Sequence, residues 1–378
     1  MVIIFWICAG LILYVYAGYP LLLASGLFGS RKRVHGASIY PSLSVLIPAH
    51  NEEKAIFAKL MNLLSQSYPL EKLQIIVGDD GSTDATPQIV SQFASCGVQL
   101  VRGDLPRGKS AIQNALIPFA KGEILVFTDA DCYLPGNALR TIVQKFADPK
   151  VGLVTNCASI QNQGETSTVE GEGLYWRYER WLRKEESERG LLAMASGSLF
   201  AMRRALWTLL NPNVGDDFAL PLQVAKAGFR NVLETRVSAL TVLTQNQPST
   251  MFRMKMRIIS KDLRGLLRAP ACLNPLRMGG IAVSLWSHKL LRWAIPYFLI
   301  GLLVSSFLLA TTNFFALALS MQLAFYVIAI AGFLLERMKV RFPFAAASSF
   351  CLVNLAALFG TIHCCTLQSA GRWRPVRS

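Results

Sequence analysis

Short, wholly apolar runs that end in polar turns organise the first third of the chain. Residues 43–47, LSVLI, stop at Pro48; Ala49-His50-Asn51-Glu52-Glu53 follow, then apolar positions at helical spacing through Leu64. That order predicts a buried strand, a loop and a helix. Residues 73–77, LQIIV, repeat it and run into Gly78-Asp79-Asp80-Gly81-Ser82-Thr83-Asp84, where Ser82 or Asp84 can cap the next helix. Residues 98–101 predict a third strand, and Arg107-Gly108-Lys109 opens a helix through about Ala120. The fourth run, ILVFT at 124–128, leads into Asp129-Ala130-Asp131-Cys132. Strands alternating with helices at ~30-residue spacing predict an open, mostly parallel α/β sheet with ligands at the carboxyl ends of its strands.

Further along, residues 171–188 place Leu174, Tyr178, Trp181 and Leu182 at helical spacing between charges. This stretch reads either as a surface helix packing an aromatic face on the core or as an aromatic shelf for a sugar acceptor. Residues 195–204, ASGSLFAMRR, are strand-like, and Gly197 leaves room for something to approach the backbone. Gly215-Asp216-Asp217 then opens a helix through Lys226.

Much longer apolar runs mark the two ends. Residues 1–30 carry no charge and precede Arg31-Lys32-Arg33, and further apolar spans lie at 293–312, 314–335 and 344–367. Each is long enough for a bilayer, which takes ~20 residues. With 52% hydrophobic and 16% charged residues and a mean hydropathy of +0.38, the chain reads as a multi-pass protein of the cell membrane. The expected organisation is a transmembrane helix at 1–30, a soluble domain at 38–270, an interfacial basic segment at 271–292 and about three spans at 293–370. Lys289, Arg292, Arg337, Lys339 and Arg341 flank the spans, so the positive-inside rule puts the soluble domain in the cytoplasm. Four full crossings would send Arg372, Arg374 and Arg377 outside. Either the last span is re-entrant or interfacial, or this tail breaks the rule. The net charge of +15 gathers at span edges and between Arg253 and Arg277, which suits anionic lipid headgroups and not nucleic acid. None of the eight cysteines forms a CxxC pair, so neither disulfides nor zinc are implied.

The polar turns carry the candidate chemistry. Asp129 and Asp131 leave the sheet on one side; they read as a solvated turn, or as a pair whose mutual repulsion a hard cation such as Mg²⁺ or Mn²⁺ offsets. No GxGxxG follows the first strand and no GxxxxGK[ST] occurs, which disfavours a dinucleotide oxidoreductase or a P-loop ATPase. PAHNE is not the glycine-rich first loop expected of a nucleotidyltransferase. Carboxylates for a ribose and base edge, Lys109 for phosphate and an Asp pair for a metal make up the chemistry of a nucleotide diphosphate held through a divalent ion. Asp216 and Asp217 are either helix caps or the source of a general base for transfer onto a hydroxyl.

Four motifs now stand in order: SVLIPAHNE at 44–52, VGDDGSTD at 77–84, TDADC at 128–132 and GDDFAL at 215–220. Together they resemble the membrane-bound, inverting glycosyltransferases of family 2, the group that includes cellulose-synthase-like and poly-N-acetylglucosamine-synthase-like enzymes, over about residues 41–267. The resemblance implies a GT-A-type nucleotide-sugar-binding domain, a UDP-sugar donor, Mg²⁺ or Mn²⁺, and a glycan or lipid acceptor. It implies that Asn51, Glu52 and Asp80 face the uridine, that Lys109 lies near the nucleotide, and that Asp129 helps to hold it. Asp131, beside Asp129, would be the metal ligand; Asp217 would be the base, with Asp216 replacing the family's usual Glu. Gly197 and Arg257 would lie toward the acceptor or a phosphate. Processive members carry Gln-x-x-Arg-Trp, whereas residues 254–258 read Met-Lys-Met-Arg-Ile and keep only Arg257. Single-sugar transfer therefore stands beside polymerisation. A polyprenyl-phosphate acceptor bound by Arg253, Arg257 and Arg264 is the alternative enzyme; a degenerate sugar-nucleotide-binding component of an export complex is the non-enzymatic one.

Overall fold

The computed structural model describes residues 1–103, 106–162, 167–243, 248–337 and 345–366, with side chains apart from those within 158–175, 241–248, 336–345 and 365–366. An eight-stranded sheet runs in the order β3-β2-β1-β4-β7-β6-β8-β5. The first four predicted strands are present as β1 (Leu43–Ala49), β2 (Leu73–Asp79), β3 (Val98–Arg102) and β4 (Ile124–Thr128), and their mutual pairings are all parallel. Beyond β4 the sheet becomes mixed. The strand β7 (Leu199–Arg203) runs antiparallel to β4 and to β6 (Val151–Asn162), while β8 (Arg230–Leu243) is parallel to β6 and antiparallel to β5 (Cys132–Tyr133).

Every residue of β1 and β4 is buried, as central strands covered on both faces must be. Alternation sends Val45, Ile47 and Val126 into one core with Ile56 and Leu60, and Leu46, Leu125 and Phe127 into the other. There Phe127 stacks on Phe200 at 4.8 Å and on Trp207 at 5.5 Å. Burying one such ring contributes about 1.5–3 kcal/mol. Because β1, β2 and β4 are parallel, the turns after Ala49, Asp79 and Thr128 open on the same edge of the sheet. Asp80 N–H donates to Ala49 O at 2.8 Å and fastens the first two together.

Four helices are long and apolar enough to cross a membrane: Val2–Ser25, Gly280–Leu308, Asn313–Leu335 and Ala346–Cys364. The second begins well before the expected residue 293, so His288, Lys289 and Arg292 lie on its opening turns. The Ser167–Arg189 helix joins these helices to the sheet domain and is more than a surface helix. Its Leu182 and Tyr178 pack on Tyr19 and Leu23 of the first apolar helix. Tyr178 and Leu182 of the stripe thus dock an apolar helix, and buried acids beside them complete the join. Tyr19 and Ser284 hydroxyls each donate to Glu186 at 2.9 Å. His288 bridges Glu186 at 2.8 Å and Glu179 at 3.1 Å, and Arg292 donates to Glu179 at 2.8 Å.

Candidate active site

Lys109 is the centre of the arrangement. Gly108, at φ 97°, makes the turn that a side chain would strain, and the Lys109–Leu116 helix starts at once. The Asp80 carboxylate holds that turn by accepting from the N–H groups of Arg107 at 2.9 Å and Gly108 at 2.7 Å. Lys109 Nζ then lies 2.8 Å from Asp129 Oδ1 and 3.2 Å from Asp216 Oδ2. Gln113, one turn along, donates to the same Asp216 oxygen at 2.7 Å. Burial works against the ammonium, but Asp129, Asp216 and Asp217 outweigh it and hold Lys109 well above the usual lysine range.

Asp129 and Asp131 are both half-buried on the turn after β4. Burial raises the Asp129 carboxyl, Lys109 opposes that, and the charge on Asp131 raises it further. A dication relieves such a pair. Among the described residues no group of three or more acids, histidines or cysteines surrounds a point fit for a metal. An ion held here must take most of its oxygens from a diphosphate and water, as Mg²⁺ commonly does. The turn itself is pinned by a residue that motif reading missed. Fully buried Lys59 donates to Thr128 Oγ1 at 2.7 Å and to Cys132 O, bracing both sides of the Asp-Ala-Asp triplet. Burial pushes its ammonium down to about 8. The available signal was a lysine on the apolar face formed by Ile56, Leu60 and Leu63.

The two acids at 216 and 217 part company. Gly215 is the N-cap of the Asp216–Lys226 helix, so neither acid is the cap. Asp216 turns inward to Lys109 and Gln113, whereas Asp217 faces Gly197 and a cavity. A Cβ on Gly197 would stand 3.5 Å from Asp217 Oδ2 and 3.9 Å from both Asp129 Oδ2 and Lys109 Nζ, so only glycine leaves the space between them open. No described residue donates a hydrogen bond to the Asp217 carboxylate. Burial and the neighbouring Asp216 push its carboxyl up to about 6, with Lys109 opposing. A second acid, Asp262, faces it from the Pro248–Arg268 helix; a Cβ on Gly215 would lie 2.7 Å from Asp217 Oδ1 and 3.5 Å from Asp262 Oδ1. Burial first, then Asp217, hold the Asp262 carboxyl well above its ordinary range. The sequence marked Asp262 only as the lone acid in a strongly basic helix.

The remaining candidates sit one step away. A cleft of about 800 Å³ is lined by His50, Asn51, Ser82, Thr83 and Arg102. Asn51 adopts φ 55°; its N–H donates to Ser82 Oγ at 2.9 Å and its Oδ1 accepts from Thr83 N–H at 2.8 Å. The Glu52 N–H donates to Thr86 Oγ1 at 2.8 Å, and its side chain is buried. These bonds lock the first two turns into one rim. Arg257 lies on the Pro248–Arg268 helix where the charge of Asp129 reaches it, opposing the burial that lowers its guanidinium.

A parallel-then-mixed sheet with acid-bearing strand ends around one lysine is a GT-A-type domain with apolar helices at both ends. Residues 44–210 match the model of Glycosyl transferase family 2. The Beta-monoglucosyldiacylglycerol synthase of Nostoc sp. is 29% identical over 181 residues, 47% of this chain and 38% of that protein. The chain therefore spans well under half the length of that relative. The Probable glycosyltransferase YdaM of Bacillus subtilis is 25% identical over 79% of this chain and 73% of its own. The mannosyltransferase PcManGT from Pyrobaculum calidifontis, solved with GDP-Man and Mn²⁺, shares the fold at a TM-score of 0.75 and 22% identity, covering 97% of this chain and 100% of that one.

Proposed function

We propose that this chain is a membrane-bound, inverting, metal-dependent glycosyltransferase that moves one sugar from a nucleotide diphosphate to an acceptor hydroxyl. The observation that carries the reading is the orientation of Asp217, which turns from Lys109 toward an open cavity while Asp216 secures the lysine. In the reaction Asp217 removes the acceptor proton, and the acceptor oxygen bonds to the anomeric carbon as the carbon–oxygen bond to the diphosphate breaks. Attack from the face opposite the leaving group inverts that carbon. Lys109 lies where negative charge develops on the departing diphosphate. Asp131, with Asp129, would hold Mg²⁺ or Mn²⁺, which supplies further charge neutralisation there when bound. The cleft beside Asn51 takes the nucleoside, with uridine the first choice; the GDP-Man of the mannosyltransferase makes guanosine the second. Missing Gln and Trp positions around Arg257 favour single transfer over cellulose-like polymerisation. Incubating membranes that contain the chain with a panel of UDP- and GDP-sugars tests this directly. One donor is expected to yield nucleoside diphosphate and a glycosylated product; release of neither from any donor overturns it.

The sheet domain is expected on the cytoplasmic face, from the basic clusters beside the apolar helices. Cys96, exposed just before β3, is the reporter, since Cys157 is buried. In a variant keeping only Cys96, an impermeant maleimide is expected to label permeabilised cells and not intact ones. Labelling of intact cells places the domain outside.

A further inference from the structure

We propose that the acceptor is a membrane lipid bearing a free hydroxyl, drawn sideways from the bilayer into a cavity that ends at Asp217. This rests on the transferase reading above and names its second substrate. The cavity has a volume of about 480 Å³. Asp217 and Gly197 line it together with Tyr16, Trp293, Phe350 and Val353, contributed by three of the four apolar helices, and with the paired Glu179, Glu186, His288 and Arg292. A water-soluble glycan would need a path from solvent along the sheet domain. Here carboxylates share one cavity with aromatic and aliphatic side chains of the apolar helices, which matches a polar head on an apolar tail.

The last apolar helix roofs this cavity. Near its C-terminal end Thr361 meets Tyr297 at 2.6 Å, His363 O accepts from Arg264 at 3.3 Å, and a Cβ on Gly360 would come within 3.0 Å of Met256 O. Arg264 and Met256 belong to the Pro248–Arg268 helix, whose many lysines and arginines exclude it from hydrocarbon. Near the other end, Ser348 donates to Ala329 O at 2.9 Å, and Phe350 packs on Tyr16 at 5.8 Å. The C-terminal end of this 22-residue helix thus stays against the Pro248–Arg268 helix. Ala346, exposed at the rim, marks the entrance.

Two observations fix the chemistry of the head. Asp217 and Asp262 converge over Gly215 at the inner end. A hydroxyl acceptor needs one of these carboxylates as its base, and Lys289 and Arg292 line the same cavity. Arg183 lines the same cavity, and its buried Nε has no hydrogen-bond acceptor among the described residues. It suits an ester or phosphodiester oxygen next to the hydroxyl-bearing carbon.

The test uses the full chain in phosphatidylcholine vesicles with radiolabelled nucleotide sugar. Separate arms add diacylglycerol, phosphatidylglycerol, polyprenyl phosphate or a soluble oligosaccharide. Label is expected in an organic-soluble product, stable to mild acid, in the diacylglycerol or phosphatidylglycerol arm. Label on the oligosaccharide, or in an acid-labile polyprenyl product, overturns the proposal. Hydrolysis of the nucleotide sugar without acceptor reports the transferase reading by itself, so hydrolysis without lipid labelling counts against the lipid alone. Val353→Trp and, at the exposed rim, Ala346→Trp are expected to raise the lipid KM about tenfold with that hydrolysis unchanged. Unaltered lipid KM in both variants overturns the proposed route.

Discussion

Asp217→Asn is expected to lower turnover about 10²–10⁴-fold and to leave nucleotide-sugar affinity nearly unchanged. Asparagine keeps the size and polarity of the side chain but cannot accept the proton. The donor contacts proposed above lie elsewhere, at the Asn51 rim, at Lys109 and at the Asp129–Asp131 turn. The same carboxyl, pushed up to about 6, sets the pH profile. Turnover is expected to be half-maximal near that pH and to fall about tenfold per unit below it, as the base becomes protonated. Stability moves the other way. A carboxyl raised from 3.8 to about 6 favours the folded state fully only below pH 3.8, and that contribution is lost as the pH rises through 6. At pH 7.5 the folded enzyme therefore bears the cost of an ionised Asp217. The asparagine variant is then expected to be more stable by on the order of 1–3 kcal/mol, with no difference near pH 3.5. Rate measurements across pH 5–8 and thermal melts at both pH values check the two signs together. Normal turnover in the variant moves the base elsewhere.

The parallel half of the sheet was legible because its strands are continuous apolar runs closed by turn residues, the pattern that burial on both faces demands. The acids after β1, β2 and β4 came with it, since parallel strands send their carboxyl ends to one edge. Of the other half, β7 was legible as the strand-like run at 195–204, and the rest was not, for a matching reason. Strands β6 and β8 interleave Thr155, Asn156, Glu234 and Arg236 with apolar residues, so no clean run or alternation announces them. They pair with each other across an intervening stretch that includes β7 and the Asp216–Lys226 helix, which no local pattern encodes.

Site residues divide along the same line. Asp129, Asp131 and Asp217 sit in motifs with fixed spacing and Lys109 opens a legible helix, whereas Lys59, Gln113 and Asp262 act through contacts between distant segments. Such residues show in a sequence only as misfits, as Lys59 does on its apolar face and Asp262 does among lysines and arginines. The aromatic stripe at 174–182 misled differently. Its periodicity correctly gave a helix with a packed face, but the partner of that face is an apolar helix from the other end of the domain. Glu179 and Glu186, which read as surface charges, are the polar half of that joint.

Asp131→Ala is expected to abolish metal-dependent turnover, lowering kcat/KM by about 10³ or more, while the protein folds and inserts normally. The structure separates this variant from its neighbours. Asp129 is engaged by Lys109 at 2.8 Å, so removing Asp129 also disturbs the lysine; Lys109→Ala leaves Asp129 and Asp216 without their cation. Breaking these partly buried pairs destabilises the fold, so loss of activity at Lys109 is entangled with loss of fold. Asp131 is half-buried on the turn, and the turn is held by Lys59 through Thr128 and Cys132, contacts that the alanine leaves intact. What it removes is the carboxylate proposed to hold a divalent ion. Manganese binding followed by electron paramagnetic resonance gives a readout independent of turnover. In the parent protein the free-ion signal should fall when UDP or GDP is added, and in Asp131→Ala it should stay. Full turnover of the parent in excess chelator, or retained nucleotide-dependent manganese binding in the variant, takes the metal away from this turn and leaves Lys109 as the sole counter-charge for the leaving diphosphate.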